Sequence, residues 1–253
     1  MTRALDWSTF LAEYHAQRPG ITEELLGPTR NAAGIDPYTW LLEGVPDSTM
    51  VVDLACGSAP LYSRHIGGWI GLDRSAEELA RAQQSGTGSL VRADAIALPI
   101  RSHSIPMVVC AMALMLLAPS HRVLAEIHRI LVSGGTLHAL MPSTRPLTTQ
   151  DRLRFARLYA TLRKRAQLPV TRVRRRPQRA LHESGFSLVR TTVDRFAYSI
   201  TDSAAADLLV DALYLPAVTP MRIAAAKRYV RTWIGTDIGL PLRRIVARSL
   251  PEP

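Results

Sequence analysis

The most constraining feature of this chain is the stretch VVDLACGSAP at residues 51–60. It begins with the β-branched and apolar residues of a buried strand, ends that strand near an acid, and continues through a loop of small residues toward a predicted helix. A buried strand that stops at such a loop brings backbone N–H groups and a carboxylate close to a ligand. The stretch therefore predicts a nucleotide-like cofactor site. A plain strand and turn in some different α/β protein would show a similar pattern.

The loop distinguishes between two classes of nucleotide cofactor. A dinucleotide fingerprint needs G-x-G-x-x-G so that a pyrophosphate can approach the backbone, but Gly57 is the only glycine in this loop. The carboxylate of Asp53 would repel a pyrophosphate, whereas it suits a cofactor that carries an amine and a sulfonium. These residues favour S-adenosylmethionine over NAD.

The same residues resemble motif I of the class I S-adenosylmethionine-dependent methyltransferases, D/E-x-G-x-G-x-G. Asp53 and Gly57 match the motif, while Ala55 and Ala59 replace its outer two glycines. A left-handed conformation at Ala59 would cost about 1–2 kcal/mol. We therefore expect an ordinary negative φ at this residue.

Two more acids end the next two predicted strands. Asp73 follows Asp53 by twenty residues, a distance typical of the carboxylate that binds a ribose diol. Ser75 is a better predicted N-cap for the helix that follows. The resemblance implies that Asp94 accepts a hydrogen bond from the adenine amine, so we expect three carboxylates to converge on one ligand. The predicted cofactor-binding residues are Asp53, Ala55, Cys56, Gly57, Asp73, Arg74, Ala93, Asp94, Ala95, Ala111 and Met112.

A further segment extends the resemblance toward the C-terminus. EIHRILVSGGTL at residues 126–137 is similar to the family's E-x-x-R-V-L-x-P-G-G, and the similar segments together cover residues 51–141. The resemblance implies an α/β fold: a seven-stranded, mostly parallel, Rossmann-like sheet with helices on both faces and helical cap insertions. Because Ile105 and Pro106 replace the acid that the family has before strand four, we expect that strand to begin near Met107.

The flanking regions predict additional helices around this core. We expect an N-terminal helical cap at residues 1–45 and a methyltransferase domain at residues 46–253, with cap insertions at about 146–176 and 201–235. The insertions should cover the carboxyl edge of the sheet, where open α/β sheets bind their ligands. Tyr214, Leu215 and Met221 are the predicted walls of a substrate pocket.

The net charge of +10 is unevenly distributed. Residues 1–150 hold 11 arginines and 13 acids, whereas the remainder holds 20 basic and 8 acidic residues. Residues 152–190 contain twelve cations and one acid, Glu183. This basic segment predicts a solvated face, a patch for an anionic small-molecule substrate, or an RNA-binding surface. Few aromatic residues are available there for base stacking, so we favour a small-molecule substrate over nucleic acid.

Other features limit the location and the type of site. No apolar run is long enough to span a bilayer, and residues 1–20 lack a signal-peptide pattern; we expect a cytoplasmic protein, either a monomer or a homodimer. Cys56 and Cys110 follow no disulfide or metal-ligand pattern. We therefore predict no metal site.

Methyl transfer depends largely on holding donor and acceptor together. The predicted acceptor is a hydroxyl of a sugar, lipid, quinone or polyketide metabolite, and such an acceptor benefits from a base. His15 and Tyr14 are the catalytic candidates, with His121 and His138 as further residues to inspect. Two further hypotheses stay open: an RNA methyltransferase, and a non-catalytic module that binds S-adenosylmethionine.

Overall fold

A single sheet runs through the protein, of which the computed structural model describes residues 6–65 and 67–251. The sheet has seven strands in the order β3-β2-β1-β4-β5-β7-β6. The first four strands along the chain are short and the last three are long. Their bounds are β1 Val51–Leu54, β2 Trp69–Asp73, β3 Leu90–Arg92, β4 Ile105–Ala111, β5 Leu131–Pro142, β6 Phe186–Ile200 and β7 Thr236–Ser249.

The strand directions confirm the predicted mostly parallel, Rossmann-like sheet. Strands β3, β2, β1, β4 and β5 are parallel, whereas β7 lies antiparallel between β5 and β6. Asp53 pairs with Gly71, and Asp73 pairs with Arg92. Because neighbouring parallel strands end at the same edge, this register places the loops after β1, β2 and β3 side by side.

Helices cover both faces of the sheet. The helices are α1 Trp7–Gln17, α2 Ile21–Leu26, α3 Pro37–Leu42, α4 Ala76–Gln84, α5 Ser120–Ile130, α6 Thr149–Leu162, α7 Thr171–Arg175, α8 Pro177–His182, α9 Ser203–Asp211 and α10 Pro220–Arg231. Apolar residues of α5 and α8 pack in a core on one face, and those of α3 and α4 pack in a core on the other. A third core joins α6, α9 and α10.

Two local predictions of secondary structure were wrong. Strand β4 begins at Ile105 instead of Met107, with Pro106 exposed and a register shift between Ile105 and Met107. A proline lacks the N–H that a ladder needs, so the strand accommodates it at an irregularity. The chain after β1 forms only a 3₁₀ turn at Tyr62–Arg64 in place of the predicted helix. The basic segment at residues 152–190 contains α7 and α8 after the end of α6.

The N-terminal segment lies beside this sheet as three short helices. Helix α1 contains no buried residue, whereas α3 buries five of its six residues. An isolated bridge joins Arg30 to Ala197 of β6. Residues 1–5 of the predicted cap lie outside the described residues, and the division into a cap and a domain stays a prediction. No helix in the described part of the chain is long and apolar enough to cross a membrane.

Candidate functional site

A cavity of about 560 Å³ lies at the carboxyl ends of β1, β2, β3 and β4. Residues that follow these strands form one side, which we call the sheet wall. Residues 7–23 and Tyr214 contribute to the other side, the cap wall. Every predicted cofactor-binding residue except Asp53 lines the cavity. The fold therefore brings together residues that are scattered over 57 positions between Ala55 and Met112.

The loop after β1 turns sharply through left-handed backbone conformations. Ala55, Gly57 and Ala59 have φ values of 55°, 55° and 60°. The expectation of an ordinary φ at Ala59 was therefore wrong. The turn is fixed by hydrogen bonds, since the N–H of Cys56 donates to Leu72 O (3.0 Å) and the N–H of Ala59 donates to Cys56 O (2.9 Å). These contacts offset the cost of about 1–2 kcal/mol at each alanine.

Asp73 connects this loop to the tip of β2. Its Oδ2 accepts from the Gly57 N–H at 2.9 Å, and its Oδ1 accepts from the Ser75 N–H at 2.8 Å. Ser75 caps α4, as predicted, by accepting from the Glu78 N–H. Burial raises the pKa of the Asp73 carboxyl, although the two N–H donors oppose this effect. A carboxylate oxygen accepts more than one hydrogen bond, so both oxygens retain capacity for the hydroxyls of a ligand.

Asp94 lies at the same edge, immediately after β3. Its Oδ1 accepts from the Ile96 N–H at 3.2 Å, which holds the side chain in a turn beside the cavity. Asp73 and Asp94 therefore border the same cavity from neighbouring strands. The strand order gives this edge a direction that runs from Asp94 through Asp73 to the loop after β1.

Asp53 occupies a different position from the other two acids. It is only 1% exposed, does not line the cavity, and has no hydrogen-bond partner at either carboxyl oxygen. Burial and the nearby Asp73 charge raise its pKa to about 8. The indole N–H of Trp69 opposes this shift, although it also lacks a hydrogen bond. A buried carboxyl without a partner is costly, and a cationic ligand next to the loop after β1 would offset that cost electrostatically.

The charge of the cavity lining is mainly negative. Six carboxylates border it, against the two arginines Arg74 and Arg92. None of the described residues 152–190 belongs to the lining, so the basic segment does not contribute charge to this site. The arrangement suits a cationic cofactor and does not support the predicted anionic substrate.

Of the two catalytic candidates, His15 lines the cavity and Tyr14 does not. The ring of His15 lies between two partners, with Nδ1 at 2.9 Å from Glu78 Oε1 and Nε2 at 3.2 Å from the Tyr214 hydroxyl. Tyr14 instead donates its hydroxyl to Asp211 O at 2.7 Å. Burial raises the pKa of both tyrosines, so each phenol stays protonated at neutral pH.

The remaining predicted residues lie in different places. Tyr214 lines the cavity, whereas Leu215 is buried in the third core and Met221 is 76% exposed. Met221 lies on the exposed face at the start of α10 and does not line this cavity. His121 is exposed on the first turn of α5. His138 is buried at 3.4 Å from Leu41 O, and burial lowers its pKa.

Sequence reasoning missed Glu78 and most of the cap wall. Glu78 is 4% exposed and borders the cavity from the first turn of α4. One signal was available, because Glu78 precedes the buried Ala82 by four residues and so shares its helix face. The predicted insertions contribute little, since Tyr214 is the only described lining residue from residues 146–176 and 201–235.

The residues around the cavity fit S-adenosylmethionine. The unpaired Asp53, the acidic lining and the tight turn at Gly57 suit a ligand with a sulfonium and an ammonium group. Asp73 and Asp94 would hold its ribose and adenine. Among the described residues there is no group of three or more histidines, cysteines or acids that could hold a metal ion.

Comparison with known proteins gives a consistent result. Residues 52–139 match the family model of a methyltransferase domain, and no curated protein matches the chain in sequence. Several solved structures share the fold at low sequence identity. The [4+2]-cyclase SpnF is 15% identical, with 96% of each chain covered and a TM-score of 0.61. A candidate methyltransferase from Bacillus halodurans C-125 is 16% identical over 85% of this chain and 99% of that chain, with a TM-score of 0.57.

Sequence identities of this size show the fold alone, and one fold supports many reactions. The match to the methyltransferase domain, however, covers the segment that forms the sheet wall of the cavity. The segment at residues 52–139 is therefore a methyltransferase domain, and its cofactor is S-adenosylmethionine.

Proposed function

We propose that this enzyme methylates a hydroxyl oxygen of a small-molecule metabolite of the sugar, lipid, quinone or polyketide type. The observation that supports this proposal is His15, which borders the same cavity as the cofactor-binding residues and contacts Glu78. A hydroxyl acceptor must lose its proton, and a positioned base typically contributes about 10²–10⁴-fold to such a step. Near the cofactor residues the cavity also has an apolar wall, formed by Met112, Ala113 and Leu116.

Most of the rate enhancement would come from positioning. When bound, S-adenosylmethionine supplies an electrophilic methyl group on its sulfonium, and the electron pair of the broken C–S bond stays on sulfur. Asp73 and Asp94 would hold the donor at the sheet wall, and the cap wall would exclude water. Holding two reactants in line is equivalent to an effective concentration of about 10⁵–10⁸ M.

His15 would receive the acceptor proton. The carboxylate of Glu78 can only accept, so it directs the proton of the imidazole to Nδ1 and leaves the lone pair on Nε2. The Tyr214 phenol donates to that lone pair at 3.2 Å. An acceptor hydroxyl that takes the place of this phenol would transfer its proton to Nε2 as its oxygen bonds the methyl group.

An RNA substrate has less support. The basic segment does not border the cavity, and two of its arginines, Arg172 and Arg179, pair with Glu183. The match to a methyltransferase domain favours an enzyme over a non-catalytic module. Cytoplasmic location and a monomeric or homodimeric state stay predictions.

The acceptor class is tested with purified enzyme, S-adenosylmethionine and sets of matched compounds that differ only in carrying a hydroxyl, an amine or a carboxylate. Release of S-adenosylhomocysteine and the product mass are measured, with bulk RNA as a separate substrate. We expect methyl ethers. Methylation restricted to amines, carboxylates or RNA would contradict the proposal.

A further inference from the structure

Glu78 holds the N-terminal segment against the rest of the protein. Its Oε1 contacts His15 Nδ1 at 2.9 Å, and its Oε2 accepts from the Gly20 N–H at 2.8 Å. One buried carboxylate on α4 thus contacts both the end of α1 and the turn that follows it. Burying a carboxylate is costly unless it is paired. The buried position of Glu78 therefore depends on its contacts with His15 and Gly20.

The N-terminal helix also has contacts that are more exposed than the one to Glu78. Helix α1 has no fully buried residue, and its half-buried Tyr14 packs with its ring centroid 4.8 Å from that of Tyr214. Its polar contacts include the Tyr14 hydroxyl to Asp211 O, His15 Nε2 to the Tyr214 hydroxyl at 3.2 Å and the Arg74 guanidinium to the Ser8 hydroxyl at 3.4 Å. Of these contact partners of α1, Glu78 is the buried one, at 4% exposed.

Glu78 also borders the part of the cavity next to the loop after β1. A Cβ built on Gly57 would lie 3.6 Å from Glu78 Oε2, and the Glu78 charge contributes to the raised pKa of Asp73. Along the sheet edge the order is Asp94, Asp73 and then the Gly57 loop. With adenine at Asp94 and ribose at Asp73, the amino-acid half of the cofactor falls beside Gly57 and Glu78.

We propose that Glu78 is a binding residue for the positively charged amino-acid half of the cofactor and that it couples cofactor binding to the position of residues 7–20. Its carboxylate attracts the ammonium group of the ligand while it holds His15 and Gly20 over the cavity. The N-terminal segment is thereby a part of the cofactor site. This inference concerns the cofactor and is independent of the acceptor.

The test compares two ligands that differ in the amino-acid half. S-adenosylhomocysteine carries the ammonium group, whereas 5′-methylthioadenosine retains the adenosine and lacks the amino acid. Calorimetry measures the affinity of each for the wild type, for Glu78→Gln and for the control Glu24→Gln, which changes an exposed acid on α2. We expect Glu78→Gln to weaken the binding of S-adenosylhomocysteine at least tenfold and that of 5′-methylthioadenosine less than threefold. The control Glu24→Gln should leave both affinities unchanged.

Equal weakening of both ligands would show that Glu78 only supports the structure and would overturn the proposal, as would unchanged affinity for both. If Glu78→Gln does not fold, Glu78→Asp retains the charge with a shorter reach and should show the same selective loss. Amide hydrogen exchange gives an independent readout. S-adenosylhomocysteine should protect residues 7–20 in the wild type but not in the variant, and equal protection in both would contradict the coupling.

Discussion

The sheet wall of the cavity is held by backbone hydrogen bonds, whereas the cap wall is held by side-chain contacts. Pairing between β2 and β3 sets Asp73 opposite Arg92. The N–H of Gly57 in the tight turn donates a hydrogen bond to the Asp73 carboxylate. The cap wall depends on Glu78, His15 and Tyr214, which come from three separate segments. We therefore expect the sheet wall to keep its shape without a ligand and the cap wall to respond to ligand binding.

The largest expected effect concerns the cap wall. His15→Gln retains an amide that can donate to Glu78 but removes the basic nitrogen. We expect kcat for a hydroxyl acceptor to fall by about 10²–10⁴-fold, while the dissociation constant of S-adenosylhomocysteine changes less than threefold. Steady-state kinetics and calorimetry measure the two quantities. An unchanged kcat would exclude His15 as the base.

The next effect concerns the buried acid beneath the sheet wall. Asp53 has a folded-state pKa of about 8, above the ordinary value of 3.8. In the unfolded chain the Asp53 carboxyl ionises near pH 4, whereas in the folded protein it keeps its proton up to about pH 8. The free energy of unfolding therefore falls as the pH rises from about 4 to 8. Asp53→Asn should remove this loss and stabilise the ligand-free protein by several kcal/mol at pH 9, since each pKa unit corresponds to about 1.4 kcal/mol.

Denaturant unfolding at pH 5 and pH 9 measures the gain for Asp53→Asn. The advantage should be several times larger at pH 9. The same variant should bind S-adenosylmethionine more weakly, because it lacks the negative charge that a sulfonium ligand favours. A stability gain that is independent of pH would show that the Asp53 carboxyl does not titrate in this range.

Asp73→Ala tests the preformed part of the sheet wall. The substitution removes charge-assisted hydrogen bonds worth about 1.5–3 kcal/mol, so the affinity for S-adenosylhomocysteine should fall more than tenfold. 5′-Methylthioadenosine should lose affinity to the same extent, because it keeps the ribose. Unchanged affinity for both ligands would refute the assignment of Asp73 to the ribose.

The smallest effect concerns the strained turn. Ala59→Gly relieves a left-handed φ of 60° that costs about 1–2 kcal/mol, but it adds unfolded-state entropy worth about 0.4–1 kcal/mol. We expect a net stabilisation of up to about 1 kcal/mol in the free energy of unfolding. Ala113→Gly is the control, since Ala113 is not among the residues with positive φ and glycine there should destabilise. A loss of stability for Ala59→Gly as large as that for Ala113→Gly, which is buried to a similar extent, would mean that the turn is not strained.

The sequence alone determined the parallel half of the sheet and predicted the residues on it that border one cavity. The acids at strand ends and the small-residue loop are local in sequence, and parallel strands align their carboxyl ends at one edge. That physical rule was sufficient to predict that Asp73 and Asp94 border the same cavity. The N-cap residue Ser75 likewise predicted where α4 begins.

Only the tertiary structure decided which residues close the cavity. Glu78 and Tyr214 are separated from His15 by 63 and 199 positions along the chain, and their contacts depend on how α1 lies against α4. The left-handed φ of Ala59 likewise depends on hydrogen bonds to Leu72 and Cys56 that no local preference predicts. Side-chain contacts between distant segments leave no periodic signal in the sequence, so the predicted walls at Leu215 and Met221 proved to lie elsewhere.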